Sequence, residues 1–362
     1  MIDKILLFPY WITLKARHFM YDHGLKKVYT PEVPTICVGN ITVGGTGKTP
    51  HTEMLLRTLL SDETWGQKNL AVLSRGYKRK TRGFQQVTLT GTAKEFGDEP
   101  LQIKKKFPMA TDAVDGSRKE GCSFLTQPEL LNTSRKARKC MDKNLPQADL
   151  IILDDAFQHR AVKPKVSIVL VDYNRPIFKD HLMPFGRLRD LPERIKAADI
   201  VIVTKCPNYL DAWEKGKWAE ALGIRPEQSI FFTTVTYDTP AAIYDEGDPH
   251  YLYSHRLILF SGIANDKPLM KYLCSDYRIV RHFKFPDHHR FSKADIRKME
   301  SASRSFPTAV LMTTEKDCQR VRDSRKISDN LKKRLFYTPI KVEFLGEDER
   351  LRFISVLDNL LK

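Results

Sequence analysis

The run ICVGNITVGGTGKTP, residues 36–50, limits the fold more than any other stretch of the chain. An apolar segment leads into it, and Met54, Leu55, Leu56, Leu59 and Leu60 follow it with helical spacing. Strand, glycine-rich turn and helix in that order make a phosphate-binding loop. Gly44, Gly45 and Gly47, with Thr46 between them, let successive backbone N–H groups turn inward where a Cβ would obstruct. Lys48 is then placed to bring a point charge to the β- and γ-phosphates, and Thr49 a hydroxyl to magnesium. The helix that starts here aims its N-terminus at the anion, and Pro50 suits its first turn. The usual spacing puts glycine at position 42, where this chain has Thr42. An unusual loop entrance is therefore expected.

Short apolar runs recur at 70–73, 150–153, 167–171, 200–203, 230–234, 257–260 and 309–312. Several are continuously apolar rather than alternating, as strands covered by helices on both faces must be. The expected fold is α/β, a mostly parallel sheet sandwiched by helices, with a smaller α/β domain joined by a β-strand linker. The expected boundaries are a helical segment at 1–30, a nucleotide domain at 31–232, a linker at 233–255 and the smaller domain with a closing helix at 256–362. The run at 150–153 ends in Asp154 and Asp155, two carboxylates at the carboxyl end of a strand, where open α/β sheets bind ligands. With Thr49 they are the candidate magnesium site. Gln158 and His159 follow within a turn and are candidates for the same cleft.

Lys and Arg number 60 against 44 Asp and Glu, a formal charge of +16, which favours anionic partners. Aromatic residues interleaved with basic ones, as single-stranded nucleic acid requires, occur only near the N-terminus, so no nucleic-acid partner is expected. Thr204 and Lys205 precede Cys206 and Pro207, so the acidic residue that reads guanine in GTPases is missing. Six scattered cysteines form no CxxC pair and read as reduced thiols of a cytoplasmic protein. No small-residue cleavage site follows the apolar N-terminal stretch, so a signal peptide is not expected. That stretch, with Phe8, Tyr10 and Trp11 ahead of Lys15 and Arg17, is about half the length needed to span a bilayer. It suits either a membrane interface or a first helix packed on the core. Basic clusters at 104–106 and 134–139 read as solvated.

Taken in order, VGNITVGGTGKTP (38–50), LSRGYKR (73–79), GDEP (97–100), DDAFQHR (154–160), MPFGRLRD (183–190), VTK (203–205), FPDHH (285–289) and TTEKD (313–317) resemble the tetraacyldisaccharide 4′-kinase family of lipid A biosynthesis. The resemblance implies ATP and Mg2+, and an acylated glucosamine disaccharide 1-phosphate as acceptor. It also implies peripheral contact with the anionic cytoplasmic face of the inner membrane; a monomer is expected. The family's catalytic pair carries over to Asp98 and His288, His288 being chosen over His289 because it directly follows the Asp. Asp98 is assigned to the acceptor hydroxyl and His288 to tuning or relaying its proton, with Lys48 completing the catalytic set. Because the two lie on opposite sides of the expected boundary, closure over substrate is expected. Glu99, Gln158, His159, Arg187 and Arg189 are the candidate substrate contacts, and Arg75 a further nucleotide contact. Asp190 stands where the family usually has Glu.

Overall fold

The computed structural model describes residues 2–133, 145–322, 324 and 327–362. The basic stretch 134–139 and Cys140 lie outside the described residues. The strands of the first half are β1 Thr35–Asn40, β2 Leu70–Ser74, β3 Gln85–Gln86, β4 Thr111–Val114, β5 Leu150–Asp154, β6 Val166–Asp172 and β7 Ile200–Thr204. Those of the second are β8 Ser229–Tyr237, β9 Ala241–Ala242, β10 Arg256–Ser261, β11 Arg278–Lys284, β12 Val310–Thr314, β13 Leu335–Thr338 and β14 Ile340–Phe344.

Two compact units divide the chain. The first comprises Met1–Leu89, Ile103–Val235 and Val342–Lys362. Its sheet runs β14-β8-β7-β6-β1-β5-β2-β4-β3. Pairings from β8 through β4 are parallel, and β3 is antiparallel to β4. Side chains alternate faces along a strand, so each apolar run feeds two cores. Ile36, Val38, Val72, Ile152 and Ile168 enter one, and Cys37, Leu73, Leu153, Val169 and Val203 enter the other. Continuous apolar sequence is thus what a sheet buried on both faces demands. β1 sits at the centre between β5 and β6, in register Val38 to Asp154, which puts the end of β1 beside the acidic end of β5.

The second unit comprises Thr90–Gln102 and Thr236–Lys341, with a sheet ordered β11-β10-β12-β13-β9. These units depart from the expected boundaries in three places. The closing helix Glu347–Leu361 joins the first unit, because Phe353, Leu357 and Leu361 lie four apart and enter the core holding Ile36 and Val38. Phe353 meets Phe231 of β8 edge-on, ring centroids 5.2 Å apart. Segment 233–255 is not a separate linker: Thr233 is buried in the first unit, while β9 pairs with β13 in the second. Thr90–Gln102, expected in the nucleotide domain, belongs to the second unit, so the division runs through the helix Asp98–Lys106.

The N-terminal helix Ile2–Asp22 contains Pro9, and its described residues divide between packed and exposed positions. Leu14 is buried in the core, and buried His18 has Nε2 2.6 Å from Asp190 Oδ1. Phe8, Trp11, Ile12 and Phe19 are exposed. Among the described residues no helix is long and apolar enough to cross a membrane.

Candidate functional site

The loop after β1 is shaped by groups that bind its carbonyl oxygens from outside. Lys205 Nζ donates to the Gly45 carbonyl, Thr204 Oγ1 donates to that of Thr46 at 3.0 Å, and His51 Nδ1 lies 2.7 Å from that of Gly47. In a trans peptide the next N–H points the opposite way, so these anchors orient the amides of Thr46, Gly47 and Lys48. Thr46 N–H turns back onto the Gly44 carbonyl at 3.0 Å. Gly44 and Gly47 hold φ of 109° and 90°, which L side chains avoid, and a Cβ on Gly47 would sit 3.3 Å from His51. The cradle therefore requires glycine at both positions and fits a phosphate chain.

His51 is buried, and burial, offset in part by its bond to Gly47, brings its imidazole down to about 4, so it works as a neutral hydrogen-bonding group. Its Nε2 lies 3.0 Å from Thr233 Oγ1. Thr42 shows why the missing glycine matters little: its backbone bridges Leu188 in an antiparallel pair, and its side chain is buried beside Asn40. Extended backbone asks for no glycine.

Asp154 and Asp155 part company. Asp154 is buried, its Oδ1 accepting from Thr52 Oγ1 at 3.2 Å and its Oδ2 from Ser74 Oγ at 3.4 Å. Asp155 adopts φ 49° and reaches toward the cradle, where it pairs with Lys48 Nζ at 3.7 Å and with Arg189. Burial would raise its carboxyl, but Lys48 and Arg189 bring it below the ordinary range. Asn40 is the hub between them. Its Oδ1 accepts from Arg189 at 2.5 Å and Lys48 at 3.5 Å, its Nδ2 donates to Thr46 Oγ1 at 2.6 Å, and its carbonyl accepts from Gln158 at 2.5 Å.

The structure does not gather every expected residue here. Arg75 and Arg187 are exposed. The Arg187 backbone nevertheless holds the loop, its carbonyl accepting from Val43 N–H at 2.7 Å. His159 lines a cavity of about 430 Å³ with Arg118, Phe157, Arg160 and Arg194, and burial together with Arg118 and Arg75 lowers its imidazole to about 4. Asp190, whose shorter side chain departs from the family pattern, is engaged by His18 and by Leu191 N–H.

Asp98, Glu99 and His288 assemble in the second unit. Because Asp98 and His288 share that unit, the closure expected from their separation in sequence is not needed to bring them together. His288 Nδ1 lies 3.3 Å from Asp98 Oδ2, and Lys316 Nζ lies 3.1 Å from Glu99 Oε1. His289, by contrast, pairs with Asp295 at 2.9 Å. Burial works to raise the Asp98 carboxyl, but bonds from His288 and Arg320 and the charges of Arg320 and Lys316 prevail and hold it at about 2. Arg320 is the residue that sequence reasoning missed, since no motif marks an arginine three residues past TTEKD. Thr204 and Lys205 were legible as part of the VTK string of the resemblance and as a failed guanine motif, while His51 carried no reading in the sequence. Of the four described non-glycine residues with positive φ, three stand in these clusters: Asp155, Lys205 and His288.

The described residues contain no group of three or more His, Cys, Asp or Glu side chains arranged to hold a metal ion unaided. Thr49, Asp154 and Asp155 offer hard oxygen donors of the kind magnesium takes a few at a time, alongside substrate phosphates.

Residues 4–362 match the family described as Tetraacyldisaccharide-1-P 4′-kinase. A tetraacyldisaccharide 4′-kinase of Phocaeicola vulgatus is 37% identical over 96% of this chain and 91% of its own length. That of Flavobacterium johnsoniae is 37% identical over 97% and 96%, and that of Porphyromonas gingivalis 34% over 97% and 95%. Among solved structures, LpxK from Aquifex aeolicus in complex with ATP superposes with a TM-score of 0.70 at 24% identity, covering 100% of both chains, which establishes the shared fold.

Proposed function

The chain belongs to the Tetraacyldisaccharide-1-P 4′-kinase family, and on that premise we propose that it transfers the γ-phosphate of ATP to the 4′-hydroxyl of a tetraacyldisaccharide 1-phosphate in lipid A biosynthesis. The observation that carries the reading is the loop whose carbonyls are anchored outward by Lys205, Thr204 and His51. Gly44, Gly45, Thr46, Gly47 and Lys48 line the phosphate chain, and Arg75 approaches the nucleotide. Lys48, now spent on Asp155, meets a stronger anion when the nucleotide arrives, and its hold on the Asp155 carboxylate is released. Thr49, Asp154 and Asp155 would hold magnesium, which would supply positive charge against the phosphate chain.

A sugar hydroxyl is a weak nucleophile, so transfer gains from orienting it in line and receiving its proton. Asp98 orients the hydroxyl and His288 takes the proton, since a carboxyl held at about 2 is too weak a base to keep it. Glu99, Gln158, His159, Arg187 and Arg189 bind the acceptor and its phosphate. The exposed aromatic face of the N-terminal helix, with Lys15 Nζ 5.4 Å from the Trp11 ring, suits peripheral contact with anionic lipid at the cytoplasmic face of the inner membrane. The reaction so described needs no second copy, and the chain acts as a monomer.

Incubation with labelled ATP, magnesium and a monophosphorylated acylated disaccharide is expected to yield a bisphosphorylated lipid. Nucleotide turnover indifferent to lipid, with no such product, rejects the reading.

A further inference from the structure

Arg320 stands at the centre of the second-unit cluster without a part in the reading above. It is buried, yet three of its nitrogens are engaged: Nε and Nη2 donate to Asp98 Oδ2 at 2.8 and 2.6 Å, and Nη1 donates to Asp317 Oδ1 at 2.8 Å. Asp317 is itself fixed, its Oδ2 accepting from Gly262 N–H at 2.8 Å and from Thr314 Oγ1 at 2.7 Å. A guanidinium clamped from behind in this way has one orientation, and a lysine at the same position could not make both contacts.

The groups around Asp98 define what that orientation does. His288 Nδ1, Arg320 and Lys316 face the carboxylate, while Glu99 and Asp287 face Lys316 at 3.1 and 3.8 Å. Lys316 Nζ lies 3.2 Å from His288 Nε2 and can only donate, while Asp287 Oδ2 stands at 3.8 Å from the same nitrogen, beyond hydrogen-bond reach, so that nitrogen carries the lone pair. Asp98 accepts, so Nδ1 carries the hydrogen. Arg320 Nη2, 3.2 Å from the same Nδ1, is satisfied by its shorter bond to Asp98. The imidazole is thereby presented in one tautomer, on a backbone at φ 61° that ordinary residues avoid.

We propose that Arg320 is a positioning residue for the transfer: clamped by Asp317, it keeps Asp98 ionised and aimed at His288 Nδ1, and so leaves His288 Nε2 as the nitrogen that receives the hydroxyl proton. The inference rests on the transfer reading and deepens it, because it gives Asp98 the orienting role and makes its charge depend on a residue outside every motif.

The experiment compares Arg320→Met and Arg320→Lys with Asp98→Ala and His288→Ala in the full chain, measuring kcat, KM for ATP and the pH dependence of kcat. Arg320→Met is expected to lower kcat roughly a hundredfold with KM for ATP unchanged. Without the guanidinium, burial pushes the Asp98 carboxyl up, so the acid limb of the profile moves to higher pH. Arg320→Lys restores the position of the limb because it restores charge, and only part of kcat because it cannot fork. A merely structural role would lower yield or melting temperature and leave the limb where it was, and that result overturns the inference. If Arg320→Met does not fold, nitrogen-15 NMR of histidine-labelled wild type and Arg320→Lys still decides. The Nδ1–H tautomer of His288 is expected in the wild type and is weakened in the variant, whereas an Nε2–H tautomer in the wild type overturns the inference. Unchanged activity in Asp98→Ala and His288→Ala would instead overturn the transfer reading itself.

Discussion

The loop after β1 and the Asp98 cluster handle charge by opposite means. The loop is one contiguous stretch that offers backbone amides, and its supports act on carbonyl oxygens. The cluster is assembled from distant stretches of chain, and the contacts on the Asp98 carboxylate and the His288 imidazole are between side chains. A main-chain cradle tolerates change in its supports gradually, because each support trims one peptide's orientation. A side-chain cluster has a single point of failure wherever one group holds two others. The contrast predicts steep losses from the cation of the loop and from Arg320, and shallow ones from the supports of the loop.

The steepest loss in the loop belongs to Lys48→Ala. It removes the charge aimed at the β- and γ-phosphates and leaves Asp155 paired with Arg189 alone. A drop in kcat/KM of about 10²–10³-fold is expected, with the melting temperature within a few degrees of wild type because Lys48 is not in the core. Steady-state kinetics beside a thermal melt check this, and near-wild-type turnover would make the cradle a structural turn.

The same contrast explains how much was legible in sequence. All eight apolar runs that read as strands are strands, because a sheet buried on both faces writes itself as continuous apolar text. Of the strands that these runs did not mark, β4 and β11 escaped for physical reasons. β4 is four residues long and carries the buried Asp112, and the half-exposed β11 reads RIVRHFK, where an outer strand needs only partial cover. The closing helix was legible as a helix, but not as part of the first core, since periodicity reveals a face and not what it meets. In the site, the loop could be read from spacing alone. Asp98 and His288 came only through resemblance, and Arg320 not at all: an arginine's burial is a tertiary fact that no local pattern encodes.

His51 tests the shallow side of the contrast. His51→Ala removes the imidazole's bonds to the Gly47 carbonyl, which keeps the backbone N–H of residue 51 at 3.1 Å, and to the Thr233 hydroxyl, which keeps the Val203 carbonyl. The loss is about 1 kcal/mol per bond, and KM for ATP is expected to rise about fivefold to tenfold with kcat nearly unchanged. It also has a pH signature. His51 is held at about 4 when folded and has an ordinary imidazole when unfolded, so the unfolded chain binds the extra proton as pH falls from about 6.5 toward 4. That linkage costs the wild type stability on acidification. The alanine variant lacks it, so its stability deficit at neutral pH should narrow by on the order of 1–3 kcal/mol near pH 4. Urea unfolding of both proteins at neutral and acid pH reads the difference, and parallel losses would mean that the imidazole is protonated in the fold.

The smallest effect is predicted where the sequence departs from the usual loop pattern. Thr42→Gly restores the common spacing, and if a glycine were needed there the variant should bind ATP better. The structure argues otherwise: residue 42 is extended, bridged to Leu188, and its buried hydroxyl lies 3.4 Å from Asn40 Nδ2. Glycine would add freedom to the unfolded chain and remove that packing, for a loss of about 0.5–1 kcal/mol of stability. Affinity for ATP should not move beyond twofold, because the amides that face phosphate begin after Val43 and are oriented from Thr204, Lys205 and His51. Calorimetric titration with a non-hydrolysable ATP analogue checks it. A clear gain in affinity would show that the entrance strand, and not the outward anchoring of the carbonyls, limits how well the cradle closes.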